Sequence, residues 1–122
     1  MRRIQLVHQS LFTNPCQPRA GFFMSGVFMF IKNPLFHLGD VVATPAALNA
    51  LQSCNVSPAQ LLQLHVSGNW GSVEEDDAKA NDAAVHNGER ILSSYRIGEY
   101  TRVWIITEYD RSVTTILLPS EY

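Results

Sequence analysis

Arg90-Ile91-Leu92-Ser93-Ser94-Tyr95-Arg96-Ile97-Gly98-Glu99-Tyr100-Thr101-Arg102-Val103-Trp104-Ile105-Ile106-Thr107-Glu108-Tyr109-Asp110-Arg111-Ser112-Val113-Thr114-Thr115-Ile116-Leu117-Leu118 decides the fold. β-branched and aromatic residues alternate with polar ones over three short runs, and Ile97-Gly98-Glu99-Tyr100 and Thr107-Glu108-Tyr109-Asp110-Arg111-Ser112 break them at turn chemistry. This pattern predicts an antiparallel meander with strands at about 90–96, 101–108 and 112–118. Trp104 and Ile106 are expected to face a helical layer. Val103, Ile105 and Thr107 are equally suited to burial, so a sheet covered on both faces is the alternative. The second turn brings together two carboxylates, a guanidinium and two aliphatic hydroxyls, the densest chemistry in the chain.

Upstream, the local signals are helical. Asp40-Val41-Val42-Ala43 reads as a short strand or extended lead-in, and Thr44-Pro45 as an N-cap followed by proline at the first helical position. Ala47, Ala50, Leu51 and Cys54 form the apolar stripe of that helix. Ser57-Pro58-Ala59-Gln60 has the spacing of a capping box and opens a second helix carrying Leu61, Leu62, Leu64 and His65, which stops at Ser67-Gly68. Ser72-Val73-Glu74-Glu75 repeats the box before a third helix. Its acidic start, Glu74 to Asp77, suits the helix dipole and solvent, and Ala80, Ala83 and Ala84 are its expected apolar face. The expected fold is therefore α+β: three short helices packed on an antiparallel meander of three or more strands.

At 122 residues the chain is long enough for one core, and 46% hydrophobic with 16% charged residues argues against wholesale disorder. Residues 1–35 read as a poorly defined leader and 36–122 as a single α+β domain. The leader's apolar run, 21–31, is shorter than the roughly 20 residues a bilayer span needs. A polar stretch separates it from Arg2 and Arg3, unlike a secretory signal. Met24 and Met29 are candidate starts, and a strap over the domain is the competing reading of 22–30. Residues 1–40 carry a net charge of +3 and residues 41–122 of −5, so the folded part offers no broad basic field to a nucleic-acid backbone. Cys16 and Cys54 are expected as free thiols in a reducing cytoplasm. His8, His37, His65 and His86 lack metal-ligand spacing, and no glycine-rich strand-to-helix turn occurs. No metal or organic cofactor is expected.

His65-Val66-Ser67-Gly68-Asn69-Trp70-Gly71, then Arg90 to Tyr95, then Trp104 to Pro119 resemble a family of small bacterial proteins catalogued as plasmid-related and encoded on mobile elements. The resemblance covers roughly residues 36–122. It implies a mobile-element origin and no particular activity.

Three functional readings follow. In the first, a non-enzymatic module binds a protein partner through Trp70, Arg90, Glu108, Asp110 and Arg111, with Tyr95 beside them, since aromatic and arginine side chains anchor such surfaces. The second is an RNA-cleaving enzyme. Helices followed by a meander resemble the microbial ribonuclease fold of the barnase type, which implies a phosphate-binding arginine at Arg90 and a general acid in the last turn. Arg111 stands where that family has histidine, so His65, with Glu108, would have to supply the acid–base chemistry. In the third, Arg90, Arg96 and Arg102 project from neighbouring strands of a nucleic-acid-binding accessory protein, with Trp104 or Tyr95 to stack on bases.

Overall fold

The computed structural model describes residues 31–122. Cys16, Met24, Met29 and the run 22–30 lie outside the described residues. Strand β1 (Asp40–Ala43) is followed by helices α1 (Pro45–Ser53), α2 (Pro58–Val66) and α3 (Glu75–Asn87). Strands β2 (Ile91–Arg96), β3 (Arg102–Thr107) and β4 (Val113–Leu117) then lead to a 3-10 turn at Pro119–Glu121. The fold is α+β. Its sheet has the order β1-β4-β3-β2, with the expected antiparallel meander from β2 to β4 and β1 added in parallel beside β4. Among the described residues no helix is long and apolar enough to cross a membrane.

Two of the three expected N-caps form, although Ser57 is reached by Ala59 N and not by the Gln60 amide that a capping box would use. Thr44 Oγ1 accepts from Ala47 N at 3.1 Å, and Ser57 Oγ from Ala59 N at 3.1 Å, each ahead of a first-turn proline. The third does not. Glu74, not Ser72, is the N-cap of α3, and its side chain makes no cap bond. Ser72 is drawn instead to β2, where its N and Oγ both donate to the Ser94 carbonyl, at 2.7 and 3.2 Å. The buried face of α3 differs from the expected one for a related reason. Asn81 and Ala84 are buried, while Ala80 and Ala83 are exposed. Asn81 earns its place by substituting for a neighbouring strand: Nδ2 donates to Leu92 O at 2.7 Å and Leu92 N donates to Oδ1 at 3.2 Å. Ser94 N donates to Trp70 O at 3.0 Å. The outward backbone groups of β2 at Leu92 and Ser94 are thus satisfied, and an otherwise open sheet edge is closed.

The register places Ile91, Ser93 and Tyr95, then Val103, Ile105 and Thr107, then Thr114 and Ile116, then Val41 and Ala43 on one face. The apolar members of this set form one buried cluster with Ala47, Leu51, Leu61, Leu62, Val66 and Ala84 from the helices. Trp104 therefore faces away from the helical layer, contrary to the expectation. Ile106, Thr115 and Leu117 share its face and are also buried, so the sheet is buried on both sides. Residues 31–35, within the stretch read as leader, are tied to α2: Leu35 N donates to Val66 O at 2.8 Å, and Lys32 N and O pair with the Gln63 amide at 2.9 and 3.0 Å.

Candidate functional site

The turn between β3 and β4 holds the chemistry that stood out in the sequence, and the structure spends most of it internally. Arg111 has a left-handed backbone, φ 59°. Its guanidinium donates to four carbonyls: Glu89 O at 2.6 Å, Glu108 O at 3.1 Å, Tyr109 O at 3.4 Å and Ala84 O at 2.9 Å. Ala84 lies in the last turn of α3, where unpaired carbonyls and the dipole favour a cation. Arg111 thus clamps the end of α3 and the following loop to its own turn, and partial burial lowers its pKa. Asp110 does not pair with it. Asp110 Oδ1 accepts from Ser112 Oγ at 2.6 Å and Ser112 N at 3.1 Å, an Asx turn that holds its carboxyl below the ordinary aspartate range.

Trp70 and His65 belong to the core. Trp70 is 5% exposed, donates from Nε1 to Asp82 at 3.0 Å and stacks on Phe36 at 6.3 Å between centroids. Tyr95 is buried too, its hydroxyl donating to Asn69 O at 2.7 Å, and burial pushes its phenol well above the usual range. His65 is fully buried, Nδ1 lying 2.6 Å from Ser93 Oγ and Nε2 2.8 Å from Thr107 Oγ1. Thr107 Oγ1 is 2.8 Å from Thr114 Oγ1, which lies 2.7 Å from the Leu38 carbonyl. That terminal carbonyl can only accept, so it orients every proton. Thr114 donates to Leu38, Thr107 to Thr114, Nε2–H to Thr107, and Ser93 to Nδ1. The ring is the neutral Nε2–H tautomer, with its pKa lowered to about 3 by burial and then by the charge of Arg111. A histidine so sealed is poorly placed to exchange protons with a substrate.

Arg90 and Glu108 meet at the surface. Arg90 Nε lies 3.6 Å from Glu108 Oε1, Arg90 Nη1 donates to Tyr122 Oη at 2.8 Å, and the guanidinium sits 5.4 Å from the Tyr122 ring centroid. Trp104 meets the same ring edge-on at 5.6 Å. Arg90 thereby anchors the chain terminus to the outer face of β3. Of the five expected binding residues, Arg90 and Glu108 are the pair whose side chains meet among the described residues, while Arg111 reaches Glu108 through its backbone carbonyl. Trp70, Asp110 and Arg111 are engaged elsewhere.

A second group of polar side chains lies at the other end of the meander. Arg96 and Arg102 are direct cross-strand partners on the outer face, both exposed, and neither makes an ion pair or hydrogen bond to the described residues. Like charges directly opposite one another on a sheet cost stability, which makes the pairing an unexplained expense within the fold. Between them the hairpin turn presents Glu99 and Tyr100, the latter 92% exposed. With Thr101, Leu118, Pro119 and Ser120 these residues line an open cleft of about 490 Å³. Arg96 and Arg102 flank the Ile97–Thr101 turn in sequence, so hairpin closure was the signal that pairs them. Tyr100 carried no such signal, because an aromatic in a turn is equally able to fold back. Ser94 Oγ, on the same face, is buried without a partner, and nothing in the structure accounts for it.

Comparison of the chain with protein-family models, with curated proteins and with solved structures finds no match. Function is therefore argued from the geometry of the chain itself.

Proposed function

We propose that this chain is a non-enzymatic binding module that engages an anionic partner through the end of the β2–β3 hairpin. The observation that carries the reading is the uncompensated Arg96–Arg102 pair beside the exposed Tyr100 in an open cleft. Guanidinia with no partner among the described residues have donors to offer a ligand, and an exposed ring beside them supplies contact area at small entropic cost. The surface expected at Trp70, Asp110 and Arg111 is replaced by this one, because those side chains already serve the core and the turn. A mobile-element origin remains part of the proposal and rests on the sequence resemblance alone.

An RNA-cleaving reading gains less support. Its acid would be His65, whose two ring nitrogens are both occupied within the core. Site-specific photo-crosslinking in bacterial lysate tests the binding reading, with the crosslinker at position 100 or, as a control, at position 109. One salt-sensitive species should appear at position 100 only and vanish in an Arg96→Gln, Arg102→Gln background. Equal labelling at both positions, or labelling indifferent to the arginines, would reject the cleft as the binding surface. Saturable RNA cleavage lost on His65→Ala in a folded variant would restore the ribonuclease reading.

A further inference from the structure

Resting on the binding-module reading, we infer that the cleft takes a nucleotide unit, its phosphate held by Arg96 and Arg102 and its base against Tyr100. The ligand is either a free nucleoside monophosphate or one nucleotide of a single-stranded RNA.

The register fixes the phosphate end. Arg96 lies directly across from Arg102, and the pairing of Trp104 with Leu117 carries Arg102 to the level of Pro119, so the two arginine side chains leave the sheet from one row. Side chains directly opposite on an antiparallel pair start about 5 Å apart, which lets two planar forks converge on one phosphate group. The rest of the cleft suits the other parts of a nucleotide. Tyr100, 92% exposed at the turn, offers a ring face on which any base can stack. Thr101 and Ser120 bring hydroxyls to the lining for sugar oxygens. Glu99 is the discriminating residue. Its carboxylate accepts hydrogen bonds and donates none, so it suits the N–H groups of a base beside it and leaves the anionic end of the ligand to the two arginines. Strand addition by a peptide is also disfavoured at this side of the sheet, because Asn81, Trp70 and Ser72 already occupy the β2 edge. The volume, about 490 Å³, falls within the range of small-ligand sites. The net charge of −5 over residues 41–122 opposes wrapping by a long polyanion and leaves a compact site of one or two phosphates.

The test is an NMR titration of the ¹⁵N-labelled full chain with adenosine 5′-monophosphate, inorganic phosphate, a single-stranded RNA hexamer and a hexaglutamate peptide. The expected result is saturable shifts confined to the amides of 96–102, Leu118 and Ser120. Adenosine monophosphate should bind about tenfold tighter than phosphate, Tyr100→Ala should abolish that advantage, and Arg96→Gln, Arg102→Gln should weaken all binding about tenfold or more. The hexamer separates the two sources: binding tighter than the mononucleotide assigns the site to RNA, and equal binding assigns it to the free nucleotide. Both outcomes support the inference. An unchanged spectrum of the variants outside the cleft confirms that they fold. Shifts from the peptide alone, lost in the double variant, would overturn the nucleotide assignment and leave the binding module standing. No cleft shifts from any probe at millimolar concentration would overturn the inference, while crosslinking from position 100 separately decides the broader reading.

Discussion

Arg111 combines a strained backbone with four carbonyl contacts, and the second feature explains the first. A non-glycine residue at φ 59° costs on the order of 1 kcal/mol or more, which the charged hydrogen bonds to α3 and its loop offset. Arg111→Lys keeps the charge but loses the planar fork. We expect it to lower unfolding free energy by about 1.5 to 3 kcal/mol in urea titrations, with Arg111→Ala lower still. An unchanged midpoint in Arg111→Lys would mean that charge alone holds the turn. His65 makes a second prediction at this scale. Its folded pKa of about 3 lies below the unfolded value of 6.5, so between these limits the unfolded chain binds a proton that the native chain refuses. The neutral ring's contribution is whole above pH 6.5 and is lost as pH falls toward 3. Protonation would also force Ser93 to reverse its hydrogen bond to Nδ1. Between pH 6.5 and 5 the wild type should lose stability with a slope approaching about 1.4 kcal/mol per pH unit relative to His65→Gln. Parallel curves for the two proteins over that interval would show that His65 does not titrate as its burial requires.

At the scale of elements, the sealed edge of β2 and the arginine pair make opposite predictions. Asn81→Asp retains an acceptor for Leu92 N but cannot donate to Leu92 O, and Asn81→Ala does neither. Leaving these backbone groups unpaired should cost about 1 to 3 kcal/mol and speed amide exchange at Leu92. Unaltered exchange there would show that the amide bond to β2 is dispensable. Arg96→Gln, in contrast, removes a like-charge cross-strand pair, so it should leave thermal stability unchanged or raise it by roughly 0.2 to 1 kcal/mol. A clear fall in its melting temperature would show that the pair stabilises the hairpin, and would weaken its assignment as a ligand site. The same two features mark the limit of reading α3 from pattern. Three alanines suggested its apolar face, but only Ala84 of them is buried and Asn81 joins it, because the requirement at 81 came from a strand edge rather than from apolar area.

The whole molecule is closed by its most distant pairing, Asp40 beside Val113 through Ala43 beside Ile116. Gly39 admits this pairing: at φ 68° any Cβ would run into the Ser112 carbonyl. Gly39→Ala should cost about 1 to 3 kcal/mol for the backbone conformation alone, with more from the clash, and protection from hydrogen exchange should fall first in β1 and β4. Selective loss in β2 instead would show that the parallel strand does not depend on this glycine. The C-terminal turn reinforces the same corner, since Glu121 accepts from both Thr44 Oγ1 and Leu118 N.

By itself the sequence determined what depends on neighbours along the chain: the α+β class, the prolines and caps opening α1 and α2, the Ser67-Gly68 end of α2, and the three strands of the meander with both turns. Each is set by backbone preference and short-range alternation, which act over a few residues. Only the tertiary structure decided what depends on residues far apart. It placed β1 parallel to β4, turned Trp104 away from the helices, withdrew Trp70 and His65 into the core, and engaged Arg111 with the distant Ala84 and Glu89 carbonyls as well as two of its own turn. Trp70, Arg111 and Arg96 look equally available in a one-dimensional pattern, because exposure is a property of packing. Among the described residues Arg96 and Arg102 have no side-chain partner, and that difference in engagement, rather than residue type, moves the candidate site from the second turn of the meander to the first.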